Sequence, residues 1–272
     1  MSDSTAPPAR FRATIEYDGT SFHGSQLQPG VRTVQREVEE ALGKLLDRPV
    51  RIDLAGRTDA GVHATAQEVA FGAPSAWNPE ELARALGAVL PDDVAVRRVG
   101  DAAPDFHPRF DAERRRYRYV VAESGRRRPF LRDRAWIPTW PLDRDALSRL
   151  AAAIPGERSF ERFARAGQPE RGTRCRVASA AWRFDPPPFV SFEIVADRFL
   201  HHMVRYLVGT SVEIGAGRRP FEDFERLLAG ETASRPVFPA PPGGLYLTGV
   251  RYGGEWNSGA GIPWLPAERH RT

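Results

Sequence analysis

The run Gly56-Arg57-Thr58-Asp59-Ala60-Gly61-Val62-His63-Ala64 sets one carboxylate, Asp59, two positions after a guanidinium, Arg57, in a stretch otherwise made largely of small residues. Glycine and alanine let the backbone turn tightly and come close to a ligand. A carboxylate beside a guanidinium stays ionised and held in direction, as a nucleophile or a charge stabiliser must be. The same residues also make an ordinary turn, in which the aspartate bonds its own backbone. His63 follows Asp59 by four positions, a ligand spacing suited to a helix, but the glycines make this stretch a loop. No cluster of partner ligands accompanies it in the sequence, and His201-His202 point different ways on a helix, so no metal is expected.

Two further segments carry chemistry. In Arg114-Arg115-Arg116-Tyr117-Arg118-Tyr119, a strand puts Tyr117 and Tyr119 on one face and Arg116 and Arg118 on the other. That arrangement suits a base stacked above bound phosphates; it equally describes two core tyrosines with outward arginines. In His202-Met203-Val204-Arg205-Tyr206-Leu207-Val208-Gly209, Arg205 lies among apolar residues at helical spacing. A buried arginine there needs a carboxylate or phosphate partner, whereas a surface one keeps its head in water.

The elements that must position these groups are legible from periodicity. Residues 11–17 alternate and read as a half-buried strand ending at Asp18-Gly19. Thr33 caps a helix whose stripe is Val34, Val38, Ala41, Leu42 and Leu45. Strands follow near Ile52–Leu54 and at 66–71, on either side of the Asp59 loop. Asn78-Pro79-Glu80-Glu81 opens a second helix, and a strand at 94–99 closes the first half. The second half repeats the pattern: a strand at 117–121, a helix after Asp143, and strands near 176–184 and 189–196 around Pro186-Pro187-Pro188. A long helix begins near His201, a short one runs from Pro220 to Gly230, and a strand covers 245–252. Short connections between neighbouring strands favour antiparallel pairs. The fold class expected is α+β: a mixed, mainly antiparallel sheet with helices packed on it, in two related α/β halves. The expected divisions are a disordered N-terminal segment at 1–10, an N-terminal half at 11–110 carrying the Asp59 loop, a C-terminal half at 111–253 and an irregular tail at 254–272.

Composition narrows the setting. The chain has 272 residues, enough for a sizeable core, and no apolar run long enough to span a membrane. Its polar opening residues lack the apolar centre of a signal peptide, and Cys175 is the single cysteine, so a reducing, cytoplasmic location is expected. The net charge is +4, and Lys44 is the single lysine; arginine carries the rest, including the runs Arg114–Arg116 and Arg126–Arg128. Such runs are either solvated faces or phosphate-binding patches.

Taken together and in order, several segments resemble the transfer RNA pseudouridine synthase A family. They are Glu16-Tyr17-Asp18-Gly19, the loop Gly56 to Ala64, Phe106-His107-Pro108-Arg109-Phe110, Arg115 to Tyr119, His202 to Gly209, and Gly244-Leu245-Tyr246-Leu247. The resemblance implies the pseudouridine synthase fold and an isomerase that detaches uracil from ribose, turns it and rejoins it through carbon, with no cofactor and no metal. It implies Asp59 as the catalytic aspartate, Tyr117 stacking on the flipped base, and Arg205 pairing with Asp59. Arg57 would take the emptied place in the RNA stem or bind phosphate beside the site, and Leu245 would pack against the base. The implied partners are the anticodon stem-loop of transfer RNA, modified at positions 38, 39 and 40, and a second copy of the chain in a homodimer. The intact Asp59, Tyr117 and Arg205 separate this reading from a non-catalytic RNA-binding protein on the same fold. The resemblance breaks at Gly24-Ser25-Gln26, where the family usually has Gly-Trp-Gln near the RNA. It breaks again at Glu161-Arg162, where a small hydroxyl residue is usual.

Overall fold

The computed structural model describes residues 8–123, 125–165, 167, 172–257, 259 and 261–265. In chain order these form β1 (Pro8–Tyr17), α1 (Val34–Leu46), β2 (Asp53–Leu54), β3 (His63–Pro74), α2 (Pro79–Val89), β4 (Val94–Asp101), β5 (Arg114–Ala122) and α3 (Arg144–Ala152). There follow β6 (Gly156–Ser159), β7 (Arg174–Arg183), β8 (Phe189–Ala196), α4 (Met203–Gly215), α5 (Glu222–Leu228), β9 (Leu245–Tyr252) and β10 (Glu255–Trp256). The class is α+β; β1 pairs antiparallel with β3 and β4, β2 with β3, β5 with β8, β8 with β7, β7 with β6 and β9 with β10, and one isolated bridge, Val121 with Trp136, is parallel. Two compact units divide the chain: residues 1–113 with 247–262, and residues 114–246 with 263–272.

In the first unit β1 lies between β4 and β3, and β9 flanks β3 on its other side. The alternating residues of β1 behave as their pattern demands: Phe11, Ala13, Ile15 and Tyr17 are buried. The side chains of Thr33 and Asn78 cap α1 and α2 by accepting from Arg36 N and Glu80 N, and Val34, Val38, Leu42, Leu82 and Leu86 go inward. The polar face of β1 is covered too, which a half-buried strand would not be. Thr14 is 3% exposed and donates to Glu68 Oε2 at 2.7 Å. The Arg12 guanidinium sits 5.0 and 4.8 Å from the ring centres of Phe106 and Tyr252.

Both expected ends need correcting. The N-terminal strand begins at Pro8, inside the segment read as disordered, because the Arg10 side chain is tied to Asp53 Oδ2 at 2.6 Å and to Phe106 O at 3.2 Å. The tail contains β10, and Asn257 donates to Ala66 O at 3.2 Å and Glu68 Oε2 at 2.9 Å. These long-range polar contacts leave no local sequence pattern. Residues 1–7, 258, 260 and 266–272 of the expected segments lie outside the described residues. The expected halves shift as well: Leu247 onward, read as the close of the second half, belongs to the first unit.

In the second unit the strand order is β5-β8-β7-β6. Tyr119, Phe192 and Ile194 are buried in the sheet, Leu147 and Leu150 on α3, and Val204, Leu207 and Val208 on α4. Strand β6 was not anticipated: Gly156-Glu157-Arg158-Ser159 has no apolar residue, and the strand hydrogen-bonds β7 alone. The order of elements does echo the first unit, but α1 and α2 enclose two strands while α3 and α4 enclose three.

Candidate active site

In the first unit, the loop between β2 and β3 carries Arg57 and Asp59; Arg57 is exposed and Asp59 half-buried. Three residues outside the loop hold its shape. Gln67, fully buried on β3, accepts from Gly56 N at 3.2 Å and donates to Gly56 O at 2.7 Å, so one amide side chain closes the loop's first residue like a neighbouring strand. Tyr17, at the end of β1, shares a 2.8 Å hydrogen bond with Thr58 Oγ1. Burial pushes its phenol up to about 12, against the opposing bond from Thr58, so it stays neutral. Ser25 accepts from Thr58 N through Oγ at 2.9 Å and donates its own N–H to Thr58 O at 3.0 Å.

This last clip fixes the residue immediately before Asp59 by both of its backbone groups. Gly24 makes it possible: its φ is +93°, and a Cβ there would sit 2.8 Å from Thr58 O. Ser25 is fully buried, so the position expected to face RNA is instead an internal brace. His63 begins β3 as a buried residue. Its Nδ1 lies 3.0 Å from Gly19 N and 3.2 Å from Asp18 Oδ1, and it accepts from the first when unprotonated and donates to the second when protonated. Its bond to Asp18, then the bonds from Thr20, hold the Asp18 carboxyl far below its ordinary range despite partial burial. His63 is thus tied to the turn after β1.

In the second unit β5 carries Tyr117, α4 carries Arg205 and Leu245 opens β9. Strand β5 touches both α4 and the turn that precedes Leu245. Tyr117 is 7% exposed, with its ring edge-to-face against Phe199 at 4.9 Å between centres. Leu245 is also buried. Arg118, on the face opposite Tyr117, is not the phosphate-binding residue the alternation allowed. Arg118 is buried, bonded to Ser191 Oγ at 2.9 Å and to both oxygens of Asp185 at 3.1 and 2.9 Å. It is a structural cation with its carboxylate.

Arg205 is aimed by a strap formed by residues 234–241. Its Nε donates to Ala240 O at 2.8 Å, and Ala240 N donates back to Arg205 O at 2.9 Å. Gly209, one turn further on, explains the glycine of that segment: a Cβ there would lie 2.2 Å from Phe238 O. Tyr119 seals the end of the strap, donating to Pro241 O at 2.7 Å. At the other end Arg219, completely buried, donates through Nη1 to Asp223 Oδ2 and through Nη2 to Pro236 O, at 2.7 and 2.6 Å. Sequence reading missed Ser25, Tyr17 and Gln67 as loop braces and Arg219 as an anchor. Gln67 alone left a signal, a polar residue inside an apolar strand run.

The first unit thus presents one carboxylate on a braced loop, and the second carries a guanidinium on a helix, aimed by backbone bonds. The particular family follows from comparison with known proteins. A family model described as tRNA pseudouridine synthase matches residues 13–111 and 150–253. Proteins called tRNA pseudouridine synthase A are similar across most of the chain. The one from Gloeobacter violaceus is 38% identical over 90% of this chain and 81% of its own. Those from Geobacillus sp. strain WCH70 and Moorella thermoacetica are 38% and 39% identical, each over 89% of this chain and 98% of theirs. The chain belongs to the tRNA pseudouridine synthase family, isomerases that act on uridine in transfer RNA. The matched stretches contain Arg57, Asp59, Arg205 and Leu245; Tyr117 falls between them. No helix among the described residues is long and apolar enough to cross a membrane.

Proposed function

We propose that this protein converts uridine to pseudouridine at positions 38, 39 and 40 of the anticodon stem-loop of transfer RNA, in the cytoplasm, as a homodimer and without metal or cofactor. Asp59 is the catalytic carboxylate. Tyr117 stacks on the extruded base, Leu245 packs against it, Arg205 is the cation that keeps Asp59 ionised, and Arg57 holds the RNA beside the site. The base must leave the helix stack, because C1′ and C6 are otherwise out of reach. The bond from C1′ to N1 breaks, a bond from C1′ to C5 forms, and the C5 proton is lost while N1 gains one. The reaction is therefore an isomerisation that needs no outside oxidant or reductant.

The observation that supports this reading best is the bracing of Thr58, held at both backbone groups by Ser25, next to the carboxylate of a loop that lies within the family match. A site that fixes a carboxylate before substrate arrives avoids reorganisation during the reaction. Tritium release from C5-labelled uridine in unmodified transfer RNA tests it. Wild type should release label; Asp59→Asn should release none while binding RNA within about tenfold of wild type, as expected when a group acts in the chemical step. Equal loss of binding and turnover in that variant would remove Asp59 from the chemistry. Mapping the product to uridines outside 38–40 would change the assigned target.

A further inference from the structure

The residues that follow β5 form a lobe whose function the family reading leaves open. A cavity of about 390 Å³ opens there, with Arg126, Arg127, Arg128 and Arg132 in its lining beside the apolar Ile137 and Pro138. Phe130, next to it in sequence, is 96% exposed. The lobe is built onto the sheet: Ala122 N donates to Trp136 O at 2.8 Å and Trp136 N to Val120 O at 3.0 Å, while Leu131 N closes onto Arg128 O at 2.9 Å. Arg128 and Arg132 therefore sit in a hydrogen-bonded turn.

Several arginines elsewhere in the second unit are neutralised by a carboxylate. Arg118 has Asp185, Arg219 has Asp223, Arg176 has Glu157 and Arg183 has Glu193. In the lobe Arg132 meets Asp133 at 2.7 Å, but Arg127 and Arg128 have no carboxylate partner among the described residues. Like charges gathered around one hollow repel each other until an anion arrives, and guanidinium forks match phosphate oxygens in pairs. The volume falls in the range of small-ligand sites, and its apolar wall offers a surface for a sugar or base. An exposed aromatic ring beside basic groups is a stacking platform.

We propose that this lobe is an RNA contact additional to the Asp59 loop. Arg127 and Arg128 bind backbone phosphates of the substrate, and the hollow with Phe130 takes up one nucleotide. The inference rests on the reading of the substrate as RNA. Binding of unmodified transfer RNA as a function of salt, with tritium release measured in parallel, tests it on the full chain. The variants are Arg127→Ala/Arg128→Ala, Arg127→Lys/Arg128→Lys and Phe130→Ala, all at exposed positions where folding should not suffer.

Each phosphate contact contributes about 0.7–0.9 to the slope of log affinity against log salt. The alanine pair should flatten that slope by roughly 1.5, weaken binding about tenfold near 0.1 M salt, and raise KM to match. The lysine pair should keep the slope, and Phe130→Ala should weaken binding severalfold with the slope intact. An unchanged slope and KM in the alanine pair, with active wild type, overturns the proposal and leaves the enzymatic reading standing. Loss of binding to inorganic phosphate alone, with RNA affinity untouched, makes the lobe a site for free anions and also overturns it. Wild type that neither binds transfer RNA nor releases tritium sinks the functional reading, and this assignment with it.

Discussion

Replacing Arg219 with methionine tests whether the buried cation holds the strap behind Arg205. The Arg219 side chain is 0% exposed and Asp223 2% exposed. Arg219 donates to Glu213 Oε2 and Asp223 Oδ2, each at 2.7 Å, to Arg235 O at 3.2 Å and to Pro236 O at 2.6 Å. Methionine fills similar space but supplies none of these donors. Glu213 is 29% exposed and can turn to water, so its loss counts for little. Asp223 would keep bonds from Ser234 N and Oγ at 2.9 and 2.7 Å, yet its charge would stay buried without a cation. Removing one partner of such a pair costs about 3–5 kcal/mol. Urea denaturation should read that loss in Arg219→Met. The double variant Arg219→Met/Asp223→Asn should lose less than the sum of the two single changes, since the pair is coupled. Burial alone would raise the Asp223 carboxyl, but bonds from Ser234 and then Arg219 bring it below its ordinary value. A depressed folded-state pKa contributes stability above the unfolded value, about 4, and loses it as pH falls further. Wild type should accordingly lose stability more steeply than Arg219→Met below about pH 4. A loss under about 1 kcal/mol, or matching acid profiles, would refute the reasoning, since the pair would then contribute no more than an exposed one.

Ser25→Ala leaves Thr58 N without its 2.9 Å acceptor in a buried place, which should cost about 1–3 kcal/mol in thermal melts and lower kcat more than it raises KM. Equal effects on both constants would mean that the clip serves stability alone. Gly209→Ala forces a methyl to within 2.2 Å of Phe238 O, so the strap must shift; about 1–3 kcal/mol and most of the turnover should go. Normal tritium release from that variant would show that the strap does not aim Arg205. Arg205→Lys lacks the Nε that reaches Ala240 O at 2.8 Å, and single-turnover release should fall by on the order of a hundredfold; near-normal rates would remove Arg205 from the site.

Local patterns were legible where short-range physics decides. The starts at Thr33 and Asn78 marked α1 and α2, and the stripe behind Thr33 marked the buried face of α1, because capping and helical burial involve residues within a few positions. The start of α4 was off by two residues, since His202 adopts φ +64° and Met203 is the first helical residue. Strand β6 escaped because a polar edge strand has no apolar alternation to show. At the candidate site, Asp59 and Arg57 stood out by type and spacing, while their braces did not. Ser25 and Thr58 are separated by 33 positions, and nothing in either segment announces the other. The same holds for Arg118: alternation put it opposite Tyr117, but Asp185 on a later turn decided that it would be buried.

The return of residues 247–262 to the first unit has a consequence for how the protein is made. Synthesis delivers residues 8–113 first, with β1, β3 and β4 able to pair at once, but β9 appears about 130 residues later. At about 5–20 residues per second, the part of the β3 edge that β2 does not take waits on the order of ten seconds on the ribosome. An unpaired strand edge is a template for wrong partners during that interval. The loop carrying Asp59 does not share the delay, because Tyr17, Ser25 and Gln67, which brace it, all emerge with it. The nascent chain therefore shapes its reactive loop early and closes its sheet last.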